Sequence, residues 1–112
     1  MYKITAQTVN AIIQASINTY PNEFIGMLGG NKNEKLIDEL IIVPAVFGKN
    51  FSSIHSHLLP FDSKMLGSIH SHPSHTSQPS NQDLHAFSKL GEVHIIIANP
   101  YNVYSMSCYN SK

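Results

Sequence analysis

Two histidines, His70 and His72, stand two positions apart in the run Gly67-Ser68-Ile69-His70-Ser71-His72, a β-compatible stretch ended by Pro73. Alternate residues of a strand project from one face, so both imidazoles are expected on the same side of a sheet, where they can share one ion. Zinc accepts neutral imidazole and carboxylate oxygen, and catalytic zinc has three protein ligands with water in the fourth place. Asp83 is the candidate third ligand, because the loop-forming residues 74–79 can fold back and present the first turn of a following helix to the strand. A carboxylate ligand partly neutralises the dication while leaving it able to bring bound water to a pKa of about 7. Hydrolysis there also needs a carboxylate that moves protons, and spacing alone does not say which one.

The elements that must position these groups follow from periodicity and punctuation. Val9, Ile12, Ile13, Ser16 and Ile17 have helical spacing behind a candidate N-cap at Thr5, predicting a helix over residues 5–19 that Pro21 stops. Residues 24–28 form a short apolar strand ending at Gly29 and Gly30, residues 31–35 a hairpin turn, and residues 36–43 its partner, closed by Pro44. Residues 45–65 are weakly patterned, with a partial alternation over 51–58 that predicts another strand. Ser80, three residues before Asp83, marks the start of a second helix carrying Leu84, Phe87 and Leu90, with Gly91 as its stop. Residues 93–98 are a nearly continuous apolar run suited to the middle of a sheet, and residues 103–109 alternate as a last strand. The order predicts an α/β fold, a single domain with a central mixed sheet flanked by helices. The exit of the histidine strand into its loop is where ligand chemistry collects in such folds.

Bulk properties agree with one globular domain spanning residues 1–112: 42% of residues are apolar and 12% charged. Seven basic residues balance seven acidic ones, so there is no footprint for gripping phosphate backbones, and no nucleic-acid partner is expected. The single cysteine, Cys108, excludes an internal disulfide, fits a reducing compartment and is expected to pack inside a strand. No stretch approaches the roughly 18 apolar residues of a membrane span, and residues 1–14 lack a basic start and apolar run, so the expectation is a cytoplasmic protein without a membrane partner. Histidine is the outlier, with seven copies.

The pattern His70-Ser71-His72-Pro73, six residues, then Ser80-Asn81-Gln82-Asp83 resembles the JAMM, or MPN-plus, metalloproteases, whose signature is H-x-H-P, six residues, S-x-x-D. Upstream, Pro21-Asn22-Glu23-Phe24-Ile25-Gly26-Met27-Leu28-Gly29-Gly30 is similar to the family's segment with a glutamate just ahead of a glycine-containing strand. The resemblance runs over nearly the whole chain and is nearest to the small stand-alone archaeal members. It implies the JAMM/MPN, cytidine-deaminase-like architecture and one zinc ion per chain held by His70, His72 and Asp83. It implies Glu23 as general base and acid, and Ser80 as a hydrogen-bond donor to the oxyanion. The implied activity is cleavage of isopeptide or peptide bonds at the C-terminus of ubiquitin-like small modifier proteins, with that modifier and its conjugates as partners. Larger relatives select ubiquitin linkages with insertions for which this short chain has no room. A non-cleaving module that binds a ubiquitin-like protein, and a peptidase for short peptides or sulfur-carrier adducts, are the alternatives.

Each residue also has a plainer reading. A His-x-His strand can be a polar face, and Glu23 an exposed carboxylate at a helix-to-strand junction. Ser80 and Asp83 fit a helix cap, and one carboxylate is expected to serve either the ion or the cap, not both. Ser53-Ile54-His55-Ser56-His57 repeats the letters around His70, yet it lacks the proline and has Ser68 eleven positions after His57 where an acid is needed; His55 and His57 read as cleft wall or coincidence. His75, His85 and His94 match no family position and are expected at the surface or on a helix face, with His75 near enough to the loop to touch substrate. The H-x-E plus P-C-x-x-C signature of zinc deaminases and the H-E-x-x-H of other peptidases are absent.

Overall fold

Thr5 opens the first helix by accepting the Thr8 N–H on its side-chain oxygen at 3.2 Å. The computed structural model that shows this describes residues 1–42 and 65–110. A two-residue strand, β1 (Lys3–Ile4), precedes helix α1 (Ala6–Thr19), whose buried Thr8, Ile12 and Ser16 recur every four residues along one face. Pro21 follows the last turn, and the chain then enters the hairpin β2 (Ile25–Asn31) and β3 (Leu36–Ile42). Lys35, at φ 53, takes the left-handed conformation that closes the turn. Next come β4 (Met65–His72), helix α2 (Asn81–Phe87), β5 (Val93–Ala98) and β6 (Met106–Asn110). Among the described residues the strands form one six-stranded sheet in the order β1-β3-β2-β4-β5-β6. The β1–β3 and β4–β5 pairs are parallel and the others antiparallel, which makes the sheet mixed.

The sheet buries both faces. On one, Ile12 of α1 joins Phe24, Leu28, Ile69, Ile95 and Ile97 in the main apolar cluster. On the other, Ala86 and Leu90 pack on Ile25 and Met27. Gly67 lets β4 and β5 approach, since a Cβ there would lie 1.5 Å from the Val93 carbonyl oxygen. The consequence for the site is that Ser68, His70 and His72 of β4 alternate with Ile69 and face α2, away from the main cluster.

Several expectations are corrected. Helix α2 ends at Phe87 and not beside Gly91, because the Lys89 N–H bonds the Ala86 carbonyl in a tightened turn; Leu90 remains buried. The last strand begins at Met106, since residues 103–105 form a 3-10 turn in which Asn102 accepts the Tyr104 N–H and Ser105 accepts the Asn102 N–H. Cys108 is exposed rather than packed inside, because β6 is the rim of the sheet. The strand expected over residues 51–58, and His55 and His57 with it, lie outside the described residues. Among the described residues no helix is long and apolar enough to cross a membrane.

Candidate metal centre

Three elements deliver the site. Strand β4 carries His70 and His72 to its C-terminal end, the loop after Pro73 returns the chain, and the first turn of α2 presents Asp83. Strand β2 lies antiparallel to β4 with Ile25 opposite His70. One step further, the Ser71 N–H bonds the Phe24 carbonyl at 2.8 Å and the Phe24 N–H bonds Ser71 Oγ at 2.6 Å. Glu23, which is exposed, lies two residues before β2, just ahead of Phe24. The negative charge of Glu23 is felt at His72, where it helps to raise the proton affinity of the imidazole.

The Asp83 carboxylate faces both imidazoles. Oδ1 is 3.1 Å from His70 Nδ1, and Oδ2 is 3.0 Å from His72 Nε2, with all three side chains buried. Oδ2 also accepts the Ser80 N–H at 2.9 Å, while the Asp83 N–H donates to Ser80 Oγ at 3.1 Å. The carboxylate thus caps the helix while facing both candidate histidines, two orientations that were expected to exclude each other. A carboxylate has two oxygens with several lone pairs, and capping uses only one of them. Ser80 Oγ, in turn, caps by accepting, so its hydroxyl hydrogen stays available to donate into the exposed space before α2.

The electrostatics follow from this contact. Burial pushes the Asp83 carboxyl up, but bonds from His70, His72 and the Ser80 N–H outweigh it and hold the group well below the usual carboxylate range. His72 is shifted upward, first by its contact with Asp83 against an opposing desolvation, then by the Thr76 carbonyl. That carbonyl, 3.1 Å from His72 Nδ1, can only accept, so Nδ1 carries the hydrogen and the lone pair of a neutral ring points from Nε2 at Asp83. Two acceptors cannot sit in contact without a cation between them, either a proton or a metal ion.

The donor set suits zinc: two imidazoles and one carboxylate, with a ring N–H held by a second group, as is usual for ligating histidine. As they stand, no three His, Cys, Asp or Glu side chains among the described residues are spaced to hold an ion. The donors instead touch one another. Zinc bonds of about 2.0–2.2 Å put tetrahedral neighbours roughly 3.3–3.6 Å apart, so the 3.0 and 3.1 Å contacts would each have to open by a few tenths of an ångström to admit an ion.

Of the remaining histidines, His85 is exposed on α2, and His75 is exposed with Nδ1 3.1 Å from the Asn99 carbonyl oxygen. His94 departs from the surface position expected of it. It is fully buried in β5, stacked on Phe87 with ring centroids 4.2 Å apart, and its Nδ1 lies 2.6 Å from Ser68 Oγ. Ser68 Oγ also lies 3.1 Å from His70 Nε2. The signal for both residues was present in the sequence. A histidine inside the apolar run Val93-His94-Ile95-Ile96-Ile97 must be buried and so needs a polar partner, and Ser68 is on the same face as His70, two residues away.

Residues 5–111 match the Prok-JAB family, prokaryotic homologs of the JAB domain. A protein of Haloferax volcanii described as a probable metalloprotease is 35% identical over 107 residues; the match takes in 88% of this chain but 66% of that protein, a little under two thirds of its length. A solved structure described as a metalloprotease-like zinc site of the proteasome and signalosome, JAMM, superposes with a TM-score of 0.78 at 35% identity, covering 100% of this chain and 89% of the other. A JAB1/MPN domain protein from Archaeoglobus fulgidus gives a TM-score of 0.77 at 37% identity, covering 98% of this chain and 90% of the other. The chain belongs to the prokaryotic JAB family, with the JAMM/MPN fold.

Proposed function

We propose that this chain is a zinc-dependent hydrolase that cleaves the amide joining the C-terminal glycine of a ubiquitin-like modifier to a lysine side chain. The observation that carries the reading is the Asp83 carboxylate, buried and set with one oxygen against each of two imidazoles at 3.0 and 3.1 Å. Family membership and the metalloprotease-like descriptions of its relatives support it. His70, His72 and Asp83 would hold the ion. Zinc bound there would polarise the scissile carbonyl and acidify a water near neutral pH. Glu23, at the exposed mouth, takes the proton from that water and later delivers it to the nitrogen of the leaving amine. The Ser80 hydroxyl donates to the carbonyl oxygen as negative charge grows on it. The ladder between β2 and β4 begins two residues after Glu23, whose charge is felt at His72, and this supports the role.

A module that binds the modifier without cutting it would have no use for a buried His-His-Asp set. The test is hydrolysis of ubiquitin-like conjugates by purified protein with and without chelator, beside an E23A variant analysed for bound zinc. The reading expects cleavage only with metal, and an E23A protein that keeps its zinc but does not cut. Conjugates left intact by the zinc-loaded wild type would overturn it, and faster cutting of short peptides than of conjugates would move the substrate class.

A further inference from the structure

The structure assigns to Ser68 and His94 a positioning role: together they place a hydrogen on Nε2 of His70, and so leave Nδ1 as the nitrogen that faces Asp83 and can bind an ion. The chain of reasoning begins at a backbone carbonyl. His94 Nε2 lies 3.2 Å from the Gly91 carbonyl oxygen, which can only accept, so Nε2 bears a hydrogen. His94 is 0% exposed, and burial holds its pKa down to about 4, so the ring is neutral near pH 7 and Nδ1 is an acceptor. Ser68 Oγ, 2.6 Å from that Nδ1, donates its only hydrogen there. With its hydrogen committed, Ser68 Oγ can only accept at its second contact, 3.1 Å from His70 Nε2. His70 Nε2 therefore carries a hydrogen, which leaves Nδ1, 3.1 Å from Asp83 Oδ1, as the nitrogen that meets the carboxylate through a cation, a proton without metal or the ion with it.

The two candidate ligands are thus set by different devices and through different atoms. His72 is fixed by the Thr76 carbonyl and offers Nε2; His70 is fixed by a buried side-chain relay and offers Nδ1. The register of the sheet builds the relay, because Ser68 and His94 are directly paired across the parallel β4–β5 ladder. Phe87 of α2 covers it, stacked on His94 and edge-on to His70 at 5.5 Å. The functional meaning of the relay rests on the metal reading above, but the hydrogen pattern belongs to the chain alone and can be measured without an ion.

Two measurements decide it. In protein labelled with 15N at the imidazole rings, long-range proton–nitrogen NMR is expected to show hydrogen on Nε2 of both His70 and His94, in the metal-free and the zinc-loaded states. A bare Nε2 on either ring overturns the assignment. Zinc competition against a chromophoric chelator is expected to find S68A and H94F binding roughly 10–100-fold more weakly than wild type, with S68T, which keeps the hydroxyl, recovering most of the loss. Metal-free melting curves of S68A and S68T separate this from a folding defect. Zinc affinity unchanged in S68A and H94F overturns the positioning role, whereas a wild type that takes no zinc removes the metal reading and leaves the NMR result to decide the relay.

Discussion

Ser80 and Asp83 cap each other: Ser80 Oγ accepts the Asp83 N–H at 3.1 Å, and Asp83 Oδ2 accepts the Ser80 N–H at 2.9 Å. Because the same Oδ2 stands 3.0 Å from His72 Nε2, starting the helix and facing the histidines are one conformation. In D83N the amide oxygen can still take the Ser80 N–H, so the cap should weaken by about 1 kcal/mol at most. The charge that balances the ion is lost, and bound zinc should fall from one per chain to a trace. Thermal melts and metal analysis of the same preparation check both halves; a D83N protein that is stable, zinc-loaded and active would remove Asp83 from the ligand set.

Glu23 is exposed and makes no cap, so its loss should leave the fold and the zinc content intact. E23A and E23Q are expected to lower kcat/KM by roughly 10²–10⁴-fold, the usual worth of a placed proton-transfer group. Steady-state cleavage of a conjugate, with zinc measured beside it, makes the comparison.

S80A should show two separable losses. Deleting the N-cap hydroxyl costs about 1 kcal/mol of stability, and deleting a donor to the developing oxyanion costs roughly 10²–10³-fold in kcat. S80T keeps a hydroxyl that serves both ends and should retain most of each. An S80A enzyme with wild-type kcat would confine Ser80 to the cap.

Gly67 admits no side chain without parting β4 from β5, since a Cβ would meet the Val93 carbonyl oxygen at 1.5 Å. G67A is expected to lose more than about 3 kcal/mol in urea denaturation, because the strand that carries both candidate histidines must shift.

The buried His94 gives the metal-free chain a pH dependence with a definite sign. Its folded pKa is lowered from 6.5 to about 4, chiefly by burial and further by His70 beyond Ser68. Between those values the unfolded chain takes up a proton that the folded chain refuses. The stabilising contribution is therefore complete above pH 6.5 and is lost as pH falls toward 4, by about 3 kcal/mol in all. Subtracting the pH profile of H94F from that of wild type isolates it. A flat difference over this window would show that His94 is already charged in the fold.

Much of this was legible in the chain. Thr5, Pro21 and Ser80 are local signals whose effect depends on near neighbours, so both helix starts and the end of α1 follow from the sequence. The histidine strand and its loop were legible for the same reason, as Pro73 and the residues after it punctuate without tertiary help. The burial of His94 was signalled by its apolar run, but the pairing that satisfies it was not legible, because it is made by Ser68, 26 residues away, and covered by Phe87 folding over the sheet from α2. The start of β6 was missed because Asn102 and Ser105 bond to their own backbone, a competition that alternation of apolar residues does not report. The double duty of Asp83 lay beyond a one-dimensional reading, since it depends on the direction of each oxygen.

The antiparallel pairing of β2 with β4 has a further consequence. Glu23 just ahead of β2 and the candidate ligands His70 and His72 at the end of β4 are carried by two strands joined by main-chain bonds, so the gap between them is dictated by backbone spacing and is indifferent to which apolar side chains fill the interior. Interior residues can drift widely without detuning the chemistry, whereas a slip of a single position along that pair would carry Glu23 away from His72 and turn the whole strand over.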